Sequence, residues 1–180
     1  MNKKTLVVNL LAGPGSGKST LASGIFFDLK MKNINVELTS EFCKDLVYEE
    51  RHHTMLDQIY IFGKQFHRIF RLLGKVDVII TDSPLLLSSV YDSEKRETFK
   101  KFVLEEHQKM WTYDVFIKRK KVYSPKGRSQ TENEAKEIDK AIVDMLFDNN
   151  IPFETFEGTI EGKDLIVKKI LLWLEHNKII

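Results

Sequence analysis

The sequence predicts an α/β fold in three layers, a parallel β-sheet with helices on both faces. Two observations carry this. Five short apolar strands alternate with segments of helical periodicity along the 180 residues, and parallel neighbours require such crossover connections. The first strand also runs directly into a glycine-rich turn that opens a helix, Ala12-Gly13-Pro14-Gly15-Ser16-Gly17-Lys18-Ser19-Thr20. With no internal repeat, linker or low-complexity tract, residues 1–180 read as one domain of ordinary globular composition, 42% hydrophobic and 30% charged.

Thr5 to Leu11 (TLVVNLL) is a nearly continuous apolar run bounded by glycine and proline, the pattern of a strand buried on both faces. From Lys18 to about Lys32, Leu21, Ala22, Ile25, Phe26 and Leu29 recur at helical spacing. Asn35 to Thr39 is the second strand, and Ser40-Glu41 is placed to cap a short helix running towards Glu50. A longer helix is predicted from the stripe Met55, Ile59, Phe62, Phe66, Ile69, Phe70 and Leu73, with Gly74 at its end. Val76 to Thr81 is the third strand, ending at Asp82-Ser83-Pro84.

Glu94 to Trp111 reads as helix with Phe99, Phe102, Val103 and Met110 on one side, and Asp114 to Ile117 as the fourth strand. Lys118 to Gln130 is basic and lacks periodicity, so an exposed loop is expected. Thr131-Glu132-Asn133-Glu134 fits a capping box opening a helix with Ala135, Ile138, Ile142, Met145 and Leu146 inward. Pro152 to Phe156 is the fifth strand, and Ile160 to Leu174 the last amphipathic helix.

The basic start Met1-Asn2-Lys3-Lys4 is followed by an apolar run that breaks at once into Gly13-Pro14-Gly15, unlike a signal peptide. No apolar run approaches the roughly 20 residues of a membrane span, so a cytoplasmic protein without membrane association is the expectation. Cys43 is the sole cysteine, which precludes an intramolecular disulfide or a cysteine-based zinc site. His52 and His53 are adjacent and point to different sides of any helix, so no zinc site is expected. A net charge of +2 does not by itself indicate nucleic acid, which asks for a concentrated basic face.

The glycine loop carries the strongest chemical signal. Gly13, Gly15 and Gly17 let the backbone bend so that successive N–H groups, with Ser16 and Thr20 beside them, surround one anion at the positive end of the following helix. Lys18 supplies a mobile charge for the β- and γ-phosphates, and Ser19 a hydroxyl for Mg²⁺. Asp82 ends the third strand, at the carboxyl edge where an open parallel sheet receives ligands. It can hold Mg²⁺ or take a proton from an acceptor hydroxyl. Glu41 follows the second strand at the same edge and is the candidate general base. In the basic loop, Arg119 and Arg128 are the best placed to meet charge on a transferring phosphoryl group, because arginine reaches phosphate through two N–H groups. Gln65 has a side-chain amide able to read a base or nicotinamide edge, and Phe42, Tyr48 and Tyr60 offer rings for stacking. Cys43 lies near Glu41.

These residues resemble the P-loop nucleoside and nucleotide kinases, and within them the ribosylnicotinamide-kinase-like domains. The resemblance rests on AGPGSGKST after the first strand, Ser40-Glu41-Phe42 after the second, Gln65 on the helix leading into VDVIITDSP, and the basic segment ending in Gly127-Arg128. It implies a P-loop NTPase sheet of order 2-3-1-4-5, ATP as donor, Mg²⁺ as cofactor, Asp82 and Glu41 at the reaction centre, and a lid over about residues 118–130 containing Arg119 and Arg128. Three positions depart from the pattern. Ala12 replaces the usual first glycine. Ser83 stands where many deoxynucleoside kinases carry arginine, and Ser83-Pro84 replaces a threonine and an acidic residue, so Leu85 to Ser89 shape a different acceptor pocket.

The function expected is transfer of the γ-phosphoryl group of ATP to a hydroxyl or phosphate of a nucleoside- or nucleotide-like small molecule. Two alternatives are a kinase acting on a hydroxyl in nucleic acid, with the loop lysines gripping the backbone, and a nucleotide-binding switch. The Asn-Lys-x-Asp element of guanine-specific switches is absent after Val115-Phe116-Ile117.

Overall fold

The computed structural model describes residues 4–120 and 131–179. The chain begins with β1 (Leu6–Leu11), every residue of which is buried, and α1 (Lys18–Met31). There follow β2 (Val36–Thr39), α2 (Cys43–Tyr48), a 3-10 turn at Thr54–Leu56, α3 (Gln58–Phe70) and β3 (Val78–Thr81). The second half holds α4 (Leu87–Tyr91), α5 (Glu97–Gln108), β4 (Trp111–Lys118), α6 (Glu132–Asp148), β5 (Glu154–Glu157) and α7 (Ile160–His176).

The strands form one sheet of order β2-β3-β1-β4-β5, with every neighbouring pair parallel. This is the order the resemblance implied. β1 lies between β3 and β4, with Asn9 level with both Thr81 and Asp114, while Thr39 of β2 is level with Thr81. The chain therefore winds outward from β1 on one side, returns, and winds outward on the other. That reversal leaves a crevice beyond the carboxyl end of β1, bounded by the loops after β2, β3 and β4. Among the described residues no helix is long and apolar enough to cross a membrane.

The core runs along both faces of the sheet, from Leu6, Val8, Ile79 and Ile80 in the strands to Ile25, Leu29, Ile69, Val103, Leu146 and Ile170 in the helices. α1 packs on α7, and α4 touches α3, α5 and α6. Several polar groups inside the sheet are paired, as burial demands. Asn9 Nδ2 donates to Asp114 Oδ1 at 2.8 Å, the other Asp114 oxygen is 3.1 Å from His107 Nε2, and Thr5 Oγ1 donates to the Val76 carbonyl while accepting from Gly74 N.

Several sequence expectations need correction. In α3, Ile59 and Phe70 are exposed, whereas Gln58 and Gln65 are buried. The inward face is turned towards the glutamines because each has a hydrogen-bond partner to reward its burial. The helix starts later than the stripe suggested, since Asp57 caps it by accepting from Tyr60 N. Ser40-Glu41 does not cap α2, whose N-cap position is Phe42, with no side-chain cap. The segment after Asp82 contains α4, which the sequence reading lacked, and Phe102 of α5 is half-exposed against the Phe62 ring. β4 begins at Trp111, earlier than expected, and β5 is displaced to Glu154–Glu157. The capping box at α6 is present in full, with Thr131 accepting from Glu134 N and Glu134 accepting from Thr131 N.

Candidate functional site

The glycine loop closes the gap between the carboxyl end of β1 and the first turn of α1. Gly15 and Gly17 have φ of 79° and 98°, torsions that a side chain at Cβ disfavours. Gly13 is required for a different reason. A Cβ built there would stand 2.5 Å from the Ala135 carbonyl oxygen and 3.0 Å from Asp139 Oδ1, so α6 presses directly on the loop. Ala12 is fully buried and accommodates its methyl group without opening the turn. Ser16 is buried, and its Oγ has no hydrogen-bond partner among the described residues.

Lys18 opens α1, and its ammonium donates to the carbonyls of Ala12 at 2.7 Å and Gly13 at 3.0 Å. Burial holds its pKa below the usual lysine value, against the opposing pull of the Glu41, Asp82 and Asp139 carboxylates. Ser19 and Thr20 follow on the exposed first turn.

Glu41 and Asp82 leave the sheet from the ends of β2 and β3, one strand apart. Burial pushes Glu41 above its ordinary carboxylate value, and the Asp82 charge adds to this, while Lys18 and Lys44 pull the other way. Asp82 is buried, and its Oδ1 has no hydrogen-bond partner among the described residues. An orphaned carboxylate oxygen beside the Lys18 loop is costly, and it is a hard donor of the kind Mg²⁺ takes, as are the Ser16 and Ser19 hydroxyls. The donor set fits that ion.

Arg119 lies just beyond β4. Its guanidinium donates to the Pro14 carbonyl at 2.7 Å and to Asp139 Oδ2 from Nη2 at 2.8 Å and from Nε at 3.3 Å. Arg119, expected on a lid where it would meet a transferring phosphoryl group, touches the glycine loop itself. Arg128, with Lys121 and Lys126, lies outside the described residues, as does most of the expected lid.

Gln65 corrects an expectation. Its amide is committed to the framework, accepting from Phe42 N at 3.1 Å and donating to Thr81 Oγ1 at 3.4 Å. It thus ties the loop carrying Glu41 to the end of β3. Phe42 packs edge-on against Tyr60 with centroids 5.6 Å apart, and the Arg68 guanidinium lies over its ring at 5.3 Å. Tyr48 is exposed. Cys43 follows Glu41 at the start of α2, its thiol pushed up to about 12 mainly by burial and next by the Glu41 charge.

Two residues of the site escaped the sequence reading. Asp139 bonds both Gly13 N and Arg119. Its signal was position, because it falls four residues after Ala135 and three before Ile142 on the inward stripe of α6. Tyr91, at the end of α4, has its hydroxyl pushed upward by burial and then by the charges of Glu41, Cys43 and Asp139. It lies among Ser88, Ser89, Asp92 and Ser93, in no recognisable motif.

A parallel sheet of order β2-β3-β1-β4-β5 with a lysine-bearing glycine loop at the end of its central strand defines the fold of the P-loop kinases. The chain belongs to the AAA domain family, whose model matches residues 7–163. Among solved structures it is similar in fold to thymidylate kinase from Ehrlichia chaffeensis, with a TM-score of 0.59 and 12% identity over 95% of this chain and 99% of that one. No curated protein sequence matches.

Proposed function

We propose that this protein is an ATP-dependent kinase that transfers the γ-phosphoryl group to a hydroxyl or phosphate of a nucleoside- or nucleotide-like small molecule. The observation that carries the reading is the placement of Lys18, Glu41 and Asp82 just after β1, β2 and β3, at the carboxyl edge of neighbouring parallel strands. The kinase fold supports it, and so does the activity named for the thymidylate kinase neighbour.

The roles follow from the chemistry of each group. The loop N–H groups of Gly15 to Lys18, with Ser16 and Thr20, cradle the donor phosphates at the N-terminus of α1. Lys18 exchanges the Ala12 and Gly13 carbonyls for phosphate oxygens. Ser19 and Asp82 are the residues that would hold Mg²⁺, which when bound neutralises phosphate charge. Glu41 accepts the acceptor's proton as the bond from the acceptor oxygen to γ-phosphorus forms and the bond to the β–γ bridging oxygen breaks, releasing ADP. A carboxylate raised above its ordinary value is matched to that task near neutral pH. Arg119 meets the charge on the equatorial oxygens. Phe42 lines the acceptor side, and Gln65 positions it from behind.

The test is transfer of label from γ-labelled ATP with Mg²⁺ to a panel of nucleosides, nucleotides, ribosylnicotinamide and DNA. Ribosylnicotinamide is included because of the resemblance noted above. Label in one small molecule is expected. Label appearing in DNA alone, or released only as free phosphate across the panel, contradicts the reading.

A further inference from the structure

Asp139 joins three parts of the molecule through one carboxylate. Oδ1 accepts from Gly13 N at 2.5 Å, and Oδ2 accepts from Arg119 Nη2 and Nε at 2.8 and 3.3 Å. Arg119 in turn donates from Nη1 to the Pro14 carbonyl at 2.7 Å. The two side chains are only 11% and 18% exposed, so neither ion is freely solvated and the pair is not of the weak surface kind. The contact between Gly13 and the Ala135 carbonyl leaves no room for a Cβ. The loop is therefore held by α6, which Ile142 and Leu146, further along the same stripe, anchor in the core.

The N–H inventory of Arg119 is informative. A guanidinium side chain has five N–H groups in a fixed plane. Among the described residues three are engaged, by Asp139 twice and by Pro14, and one on each terminal nitrogen has no partner there. The plane is thus fixed against the glycine loop while two donors remain for an anion. Asp139 also offsets the repulsion between two cations, because Arg119 lowers the basicity of Lys18 and Asp139 raises it.

We propose that Asp139 is a positioning residue for phosphoryl transfer: it holds the Arg119 guanidinium against the phosphate loop in the orientation that meets a phosphoryl group in flight. This rests on the reading of the loop as a nucleotide site. Donors fixed before the reaction need no reorganisation when charge develops, and a misplacement of about 1 Å in such a group costs about a hundredfold.

The experiment compares equilibrium binding of ADP with Mg²⁺, alone and with aluminium fluoride as a stand-in for the transferring phosphoryl group, so that no acceptor is needed. Asp139→Asn keeps an oxygen for Gly13 N but turns an amide donor towards Arg119. Its ADP affinity is expected to stay within about threefold of wild type, while the gain from fluoroaluminate falls about a hundredfold. Arg119→Ala is expected to lose the same gain, and the double variant to lose no more than either single one. If Asp139→Asn fails to fold, Arg119→Lys carries the test, since it keeps the charge but not the fork. The same loss of gain is expected. A full fluoroaluminate gain in Asp139→Asn, or losses that multiply in the double variant, overturns the proposal. A wild-type protein that gains nothing from fluoroaluminate also overturns it. A wild-type protein that binds no ADP at all contradicts the nucleotide reading instead.

Discussion

Glu41 is charged at a cost. Burial outweighs the attraction of Lys18 and Lys44 and raises its pKa, with Asp82 adding to the rise, so the protonated form is favoured in the folded state. The stability linked to this group is present below the ordinary carboxylate range and is lost as pH rises through the raised value. Glu41→Gln is therefore expected to melt above wild type at neutral pH and to match it in acid. If Glu41 is the base, the same variant loses about 10²- to 10⁴-fold in turnover, and the acid limb of the pH–rate profile disappears. Melting curves and rate profiles on one preparation check both signs. A variant that is less stable at pH 7 and equally active would contradict this account of the residue. Lys18, Glu41 and Asp82 were legible in sequence because each sits at a fixed offset from a strand end. Asp139 and Tyr91 were not, because each reaches the site from a helix whose placement depends on the whole sheet. Gln65 was legible as notable but not in its role, which is set by Phe42 N and Thr81, partners far from it in sequence.

The elements that matter most are the glycine loop and α6. Their contact is backbone against backbone, with 2.5 Å between the position of a Gly13 Cβ and the Ala135 carbonyl. Gly13→Ala must move the loop or the helix, and is expected to cost about 1–3 kcal/mol and to weaken ATP binding. Thermal melting with an ATP titration checks this, and an unchanged melting temperature with full affinity would show that the contact is not tight. The opening of α6 was readable from four residues, Thr131 to Glu134, because a capping box is local chemistry. The inward face of α3 was misread because hydrophobic periodicity assigns glutamine outward. Gln58 and Gln65 are buried by bonds to Met55 O, Phe42 N and Thr81 Oγ1 that periodicity does not register. α4 was missed because its five residues, Leu87–Tyr91, are too few for a helical period to show, while its packing against α3, α5 and α6 supplies its helical context.

At the scale of the molecule, the site is a consequence of strand order. Only with β1 between β3 and β4 do the loops after β1, β2, β3 and β4 meet at one edge, bringing together residues from Gly13 to Asp139. The parallel sheet was legible from alternating strands and helices, whereas the order came from the resemblance alone, since periodicity carries no information on which strands pair. The central claim is that Lys18 on this loop binds and activates a nucleotide. The most direct measurement is ATP·Mg²⁺ binding and phosphoryl transfer by wild type and Lys18→Ala, each monitored for folding. Saturable binding by wild type, with transfer abolished in a Lys18→Ala protein that melts normally, is the expected result. Full activity in Lys18→Ala, or no nucleotide binding by a folded wild type, would contradict it.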